Sequence, residues 1–494
     1  MSLRLIRASV IVTVLSLAGM GANFAPGALA TLFGADRATD AYLAAATIPT
    51  LANTVFLTAM NITFIPVFIE YENKANSEEA WKVVNSFIVI VLAALTALCL
   101  VGSLFSESLI LLIAPGLGRD AAALSLAAEL QRIQLPAMIF MAWGGLLAGL
   151  FYARQSFVIP TLGPLLANLI TLGVAWVLVK PAGIHGVAVG VLVGNIVQVI
   201  FLLFYLRTQF QGPWRFDFTH PGVRQIGWLM IPWLLGAMIY KANPLVDRFI
   251  ASYFSAGAIT ILGYAYGLVQ VAVFASSKGA SLVVFPLMSK LVNTHQQSQL
   301  PTVIDNGLRL VISALVPLMV LLFLVGDQVV AVVLQRGAFS ADDTHQTTLA
   351  LVGYSGSIVA LAAGNILTYV YYALQDTRTP AIVGSVGMAL NLALALWWRP
   401  SLGFVAPAVS YSVMTLFNLF VFGFILRRRL GQVVRPGFWT FCSQMLLIGG
   451  IMAGAVWLTR QSANVVPIMA RWQAFWQLAY QSTMGLACWW PGVC

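Results

Sequence analysis

YARQSFVIP at residues 152–160 returns as YALQDTRTP at 372–380, and FIPVFIEY at 64–71 returns as VFPLMSKL at 284–291. Both echoes lie 220 positions apart, and the same offset aligns FLLFYLR (201–207) with VFGFILR (421–427). One spacing held across a half-chain marks an internal duplication. In a hydrophobic chain it predicts two like-oriented halves with a working site at their seam, which is transporter architecture.

Composition puts those halves in lipid. Of 494 residues, 60% are hydrophobic and 9% charged, with a mean hydropathy of +0.89, an apolar share that no single water-soluble core buries. A bilayer crossing takes about 20 apolar residues. The pattern predicts helices over 8–32, 38–70, 83–105, 130–152, 157–179 and 183–207, mirrored by 225–254, 258–289, 307–325, 347–372, 378–398 and 403–426. Another is expected over 437–459, while the segment 468–490 either crosses or lies in the interface, with Trp472 and Trp476 about one turn apart. The expected fold is an all-α polytopic membrane protein of 12 to 14 spans: six-helix lobes over 1–215 and 216–430, and a two-helix extension over 431–494. The longest polar joints, 71–82, 106–130, 208–224 and 326–346, are too short to hold a soluble domain. Arg4, Arg7 and the small-residue PGALA at 26–30 imitate a cleaved leader. The repeat needs a first helix there, which argues against cleavage.

Lys and Arg set the orientation. With a cytoplasmic N-terminus, about 15 of the 26 fall on inside joints and about six outside, as the positive-inside rule requires. The net charge of +10 is therefore mostly a topology signal, and its scatter over many joints excludes a nucleic-acid surface. Cys99, Cys442, Cys488 and Cys494 have no metal spacing, the four histidines are far apart, and no GxxxxGK[ST] loop is present. No enzyme, resident cofactor or ATPase pump is expected.

Ionisable groups at membrane depth are expensive and normally functional. Lys241, Asp247 and Arg248 fall on the expected seventh helix and Lys278 on the eighth. Lys241 and Arg248 are seven residues apart and share a face, with Pro244 between them as a kink. Asp247 either pairs with a neighbouring cation to lock helices together or couples an ion. The first half offers Asn23, Asn53 and Asp40 instead; Asp40 begins a helix, where a carboxylate favours the dipole, or binds a coupling ion. Gln155 and Gln375, each before a Pro-started helix, read as joint chemistry. Lys241 and Lys278 are expected to face one aqueous cavity.

GADRATDAY (34–42), FIPVFIEY, APGL (114–117), NPLVDRFIASYFSAG (243–257), VFPLMSKL and YALQDTRTP resemble the MurJ/MviN proteins, lipid II flippases of the multidrug/oligosaccharidyl-lipid/polysaccharide exporter superfamily. The resemblance runs over about residues 8–430. It implies two lobes in a V around a central cavity that opens alternately to each side, and a polyprenyl diphosphate lipid bearing a sugar-peptide headgroup as cargo. Under it, Lys241, Arg248, Lys278, Asn23, Asn53 and Gln270 become headgroup-binding candidates, and Asp40 and Asp247 ion-coupling candidates of unknown ion. Several charges that the family places around the headgroup are replaced: Gly19, Ala25, Asn53 and Gly267 stand where arginines are typical, and Pro26 and Gln270 where acids are. The expected function is a flippase of lipid-linked sugars, lipid II or a relative, acting as a monomer in the bacterial cytoplasmic membrane. A small-molecule antiporter of the same superfamily and a flipping-incompetent scaffold for envelope-synthesis proteins are the alternatives.

Overall fold

The computed structural model describes residues 25–59, 63–74, 77–154, 156–209, 215–240, 243–294 and 296–463. Among these, every regular element is helical. Contacts divide the chain into two compact units, Met1–Gly257 and Ala258–Cys494. The first holds α1 (Ala25–Phe33), α2 (Arg37–Ala45), α3 (Thr47–Ala59), α4 (Ile65–Lys74), α5 (Ser77–Leu104), α6 (Ser106–Ile113), a 3₁₀ turn (Pro115–Arg119), α7 (Ala121–Gln134), α8 (Ala137–Ala153), α9 (Val158–Ala182), α10 (His185–Gln209), α11 (Pro221–Tyr240) and α12 (Asn243–Ala251). The second holds α13 (Ala258–Asn293), α14 (Leu300–Leu334), α15 (Ala341–Ser355), α16 (Ser357–Ala373), α17 (Arg378–Leu402), α18 (Ala406–Leu430) and α19 (Phe438–Ala463). Seven stretches among the described residues are long and apolar enough to cross a membrane, and α15 with α16, bent by 40°, makes an eighth. The expected span at 38–70 is broken at Ala46, the expected span at 225–254 is covered by α11 and α12 on either side of the undescribed residues 241–242, and 258–289 lies within α13. Most of 8–32 and all of 468–490 fall outside the described residues.

The duplication is visible atom by atom. Gly183 and Gly403, 220 apart, end α9 and α17 with φ of 54° and 59°, a conformation glycine adopts without strain. Thr171 Oγ1 donates to the Gly190 carbonyl at 3.1 Å, and at the equivalent positions Ser410 Oγ donates to Asn391 Oδ1 at 2.6 Å. Ser156 N–H reaches the Phe151 carbonyl and Asp376 N–H the Tyr371 carbonyl, both at 2.9 Å. Asp120 and Ser340 cap α7 and α15 with their side chains. Those caps correct the expectation of long joints at 106–130 and 326–346. Capping oxygens nucleate α7 and α15 before their apolar runs begin, and the apolar SESLILLI and VVAVVL keep α6 and the end of α14 helical.

Where the halves differ is also informative. Residues 258–293 form one unbroken helix, whereas the matching first-half stretch is broken at Ala46 between α2 and α3. The core of the first unit gathers Phe64, Phe68 and Phe87, with ring centroids 5.7 to 6.2 Å apart, against Leu146, Leu150 and Phe151. The joint between the repeats folds back on the start of α5. Arg215 pairs with Glu78, Asp217 N–H donates to Ser86 Oγ at 2.7 Å, and His220 Nε2 meets Glu79 Oε2 at 3.0 Å. The next helix, α11, then packs on α3, α4 and α5, so contacts group residues up to 257 with the first unit although the second repeat starts near 216.

Candidate functional site

Among the described residues, each unit presents a helix face that carries polar side chains, three in the first and one in the second. In the first unit, Thr50 and Thr54 are exposed and Asn53 half-buried on α3, at the i, i+3, i+4 spacing that shares a face. In the second, Gly267, Gln270, Val271 and Phe274 line the corresponding face of α13, where no heavy atom lies within 4 Å of a Cβ built on Gly267. The faces are repeat-related: Thr50 and Gln270 are 220 apart, as are Thr54 and Phe274. A glutamine amide in mid-helix of a membrane span is costly against hydrocarbon, so this face suits a wet path.

Gln270 is anchored. Its Nε2 donates to the Tyr266 hydroxyl, and the Tyr266 and Tyr411 hydroxyls are 3.4 Å apart. Tyr266, Tyr354 and Tyr411 form a triangle of rings with centroids 5.5, 5.5 and 5.7 Å apart. Sequence reading did not single out these tyrosines, because they come from α13, α15 and α18 and meet only in the folded unit.

A second cluster lies at one end of the first unit. The backbone after α12 runs against the 3₁₀ turn, where Gly116 N–H donates to Ser252 Oγ at 2.9 Å and the Arg119 guanidinium sits 5.3 Å from the Tyr253 ring centroid. Gly257 N–H donates to Asp40 Oδ2 at 2.8 Å. Asp40 is thus buried and anchors this junction, beside the capping box that Asp36 and Thr39 build at the start of α2. Asp247 is buried on α12, and Arg248 folds back to donate to the Pro244 carbonyl at 3.3 Å. Pro244 lies within α12, and the residues just before that helix, 241 and 242, fall outside the described residues.

The motif YALQDTRTP builds a joint. Gln375 takes a left-handed φ of 58°. Asp376 accepts from Thr379 N–H at 3.0 Å and from Arg429 Nη1 at 2.5 Å, while Arg429 Nη2 reaches Thr379 Oγ1 at 3.1 Å. Burial pushes the Asp376 carboxyl up, but the Thr379 and Arg429 hydrogen bonds outweigh it and hold the group below its ordinary 3.8. In the first half, Arg154 pairs with Glu72 at 2.6 Å at the corresponding joint. Gln375 therefore serves the turn; Gln155 lies outside the described residues.

Of the candidates named from sequence, the structure locates Asn53 and Gln270 on the two faces, and Asp40, Asp247 and Arg248 within the first unit. Lys278 lies on α13, two to three turns beyond Gln270 along the same helix. Asn23 and Lys241 lie outside the described residues. Among the described residues no group of three or more His, Cys, Asp or Glu is placed to hold a metal.

The family described as "Lipid II flippase MurJ" matches residues 29–473. A probable lipid II flippase MurJ of Vibrio cholerae serotype O1 is 26% identical, over 92% of this chain and 89% of that protein. A lipid II flippase MurJ of Burkholderia cenocepacia is also 26% identical, over 86% and 84%. Among solved structures, a lipid II flippase MurJ in an inward closed conformation superposes with a TM-score of 0.82 at 21% identity, covering 99% of this chain and 97% of that one. An inward-facing MATE family transporter of the MOP superfamily reaches 0.69 at 12% identity, over 85% and 94%. The last two establish the fold, and the match along nearly the whole sequence establishes the lineage: this chain belongs to the MurJ lipid II flippase family.

Proposed function

We propose that this chain carries a polyprenyl diphosphate-linked sugar lipid, lipid II or a related cell-envelope precursor, from the cytoplasmic to the outer leaflet of the bacterial cytoplasmic membrane. The observation that carries this reading is the family match over residues 29–473. Thr50, Asn53 and Thr54 on α3 and Gln270 on α13 support it, because a diphosphate and sugars cannot cross hydrocarbon without hydrogen-bonding groups along the path. Arg248, Lys241 and Lys278 supply the cations for the diphosphate in this reading, with Asn23, Asn53 and Gln270 as neutral contacts. The lobes alternate access as rigid bodies, and the helix break at Ala46, between α2 and α3, takes up the bend. Without ATP chemistry the work comes from an ion gradient or the membrane potential, about 2.3 kcal/mol per charge per 100 mV. Asp247 and Asp40 are the coupling carboxylates, Asp40 by exchanging its Gly257 partner during the cycle. The count of Lys and Arg on the joints supports a cytoplasmic N-terminus.

The test is transport in vesicles. Purified protein is reconstituted with lipid II, and exposure of the headgroup at the opposite face is followed with and without an imposed potential. Protein-dependent exposure is the expected result. Equal exposure in protein-free vesicles overturns the carrier reading in favour of a scaffold.

A further inference from the structure

A single amide on an open helix face is a poor recognition element when it rotates freely, since ordering it on binding costs side-chain entropy. Gln270 is not free. Its Nε2 is bound to Tyr266, whose hydroxyl is near that of Tyr411, and the fully buried Tyr354 ring closes the triangle that stops both phenols from swinging. With one N–H engaged, Oε1 and the second N–H remain for whatever occupies the open side next to Gly267.

The arrangement is peculiar to the second unit. At the repeat-related positions of Tyr266, Tyr354 and Tyr411, the first half has Ala46, Gln134 and Val191, and Thr50 stands for Gln270. A clamp in one repeat and none in the other suits a cargo whose headgroup is unlike at its two ends. The chemistry presented is neutral: one acceptor and one donor without charge. Such a pair matches a sugar hydroxyl or an amide, whereas a diphosphate demands cations to offset its desolvation.

We propose that Tyr266, Tyr354 and Tyr411 are positioning residues that hold Gln270 for the sugar or peptide portion of the headgroup, apart from the diphosphate. This rests on the carrier reading above. It makes α13 the site of headgroup selectivity, and predicts that lipids sharing the diphosphate but lacking the sugars are discriminated by the hydroxyl of Tyr266, which itself need not touch the cargo.

Binding of two probes, lipid II and bare undecaprenyl diphosphate, to the purified full chain in nanodiscs tests this. Tyr266→Phe keeps the ring and removes the hydroxyl. It is expected to weaken lipid II binding about five- to tenfold and to leave undecaprenyl diphosphate within about twofold. Gln270→Leu should show the same pattern, and adding Tyr266→Phe to it should cost nothing further, as for residues acting through one another. Tyr411→Phe serves as the second hydroxyl deletion if Tyr266→Phe lowers the melting temperature. Equal weakening toward both lipids, no weakening, or additive losses in the double variant overturns the proposal while leaving the carrier reading intact. Failure of the unaltered protein to bind either lipid overturns both.

Discussion

Gly116 has no room for a side chain: a Cβ built there falls 1.9 Å from the Ser252 carbonyl oxygen. Gly257 is as confined, with φ of 89° and the Ala35 carbonyl oxygen 2.3 Å from its Cβ position. Both obstacles are backbone, so neither yields by a rotamer change. Gly116→Ala is expected to destabilise by about 3 kcal/mol or more and to separate the segment after α12 from the 3₁₀ turn. Thermal unfolding in detergent measures the first effect, and faster limited proteolysis between residues 251 and 257 reports the second. A different kind of cost sits at Gln131, fully buried on α7 with neither amide atom hydrogen-bonded among the described residues. Its repeat partner is Leu351, also fully buried. Gln131→Leu is expected to raise stability by about 1–2 kcal/mol, read as a higher melting temperature; a lower one means that buried water satisfies the amide.

At the scale of elements, two charged fastenings decide how helices end. Asp376, on the joint before α17, holds the last turn of α18 through Arg429. Its folded pKa lies below the ordinary 3.8, so its contribution is complete above that value and lost as pH falls through the folded pKa. Asp376→Asn should therefore cost about 1 kcal/mol at neutral pH, with the gap to the unaltered protein closing below pH about 4. Equilibrium unfolding across pH checks the sign. The second fastening is larger. Asp305 is completely buried on α14, and its Oδ2 accepts from Arg309 at 2.8 Å and from Arg435 at 3.0 and 3.1 Å. Arg435 lies just before α19, whose Met452 and Val456 pack on Leu321 and Val325 of α14. Removing Arg435 leaves a buried carboxylate short of a partner. Arg435→Ala is expected to cost about 3 kcal/mol and to make the segment 430–438 the first site of limited proteolysis.

At the scale of the molecule, the duplication and the topology follow from different signals. The proposed orientation places Asp120 outside and Arg428 inside. Cysteines at 120 and 428 are expected to react with a membrane-impermeant thiol reagent from opposite sides; labelling of both from one side contradicts the positive-inside count. The sequence by itself determined the helical membrane class, the twofold repeat at 220 residues and the family, because span length, period-defining motifs and charge bias are properties of contiguous chain. It also pointed to Asn53 and Gln270, yet not to what surrounds them. Only the tertiary structure decided that α7 and α15 start inside the apparent joints, that residues 221–257 pack with the first repeat, and that three tyrosines from separate helices hold Gln270. Side chains 57 to 145 residues apart meet there through packing, and no local propensity records which faces of which helices will touch.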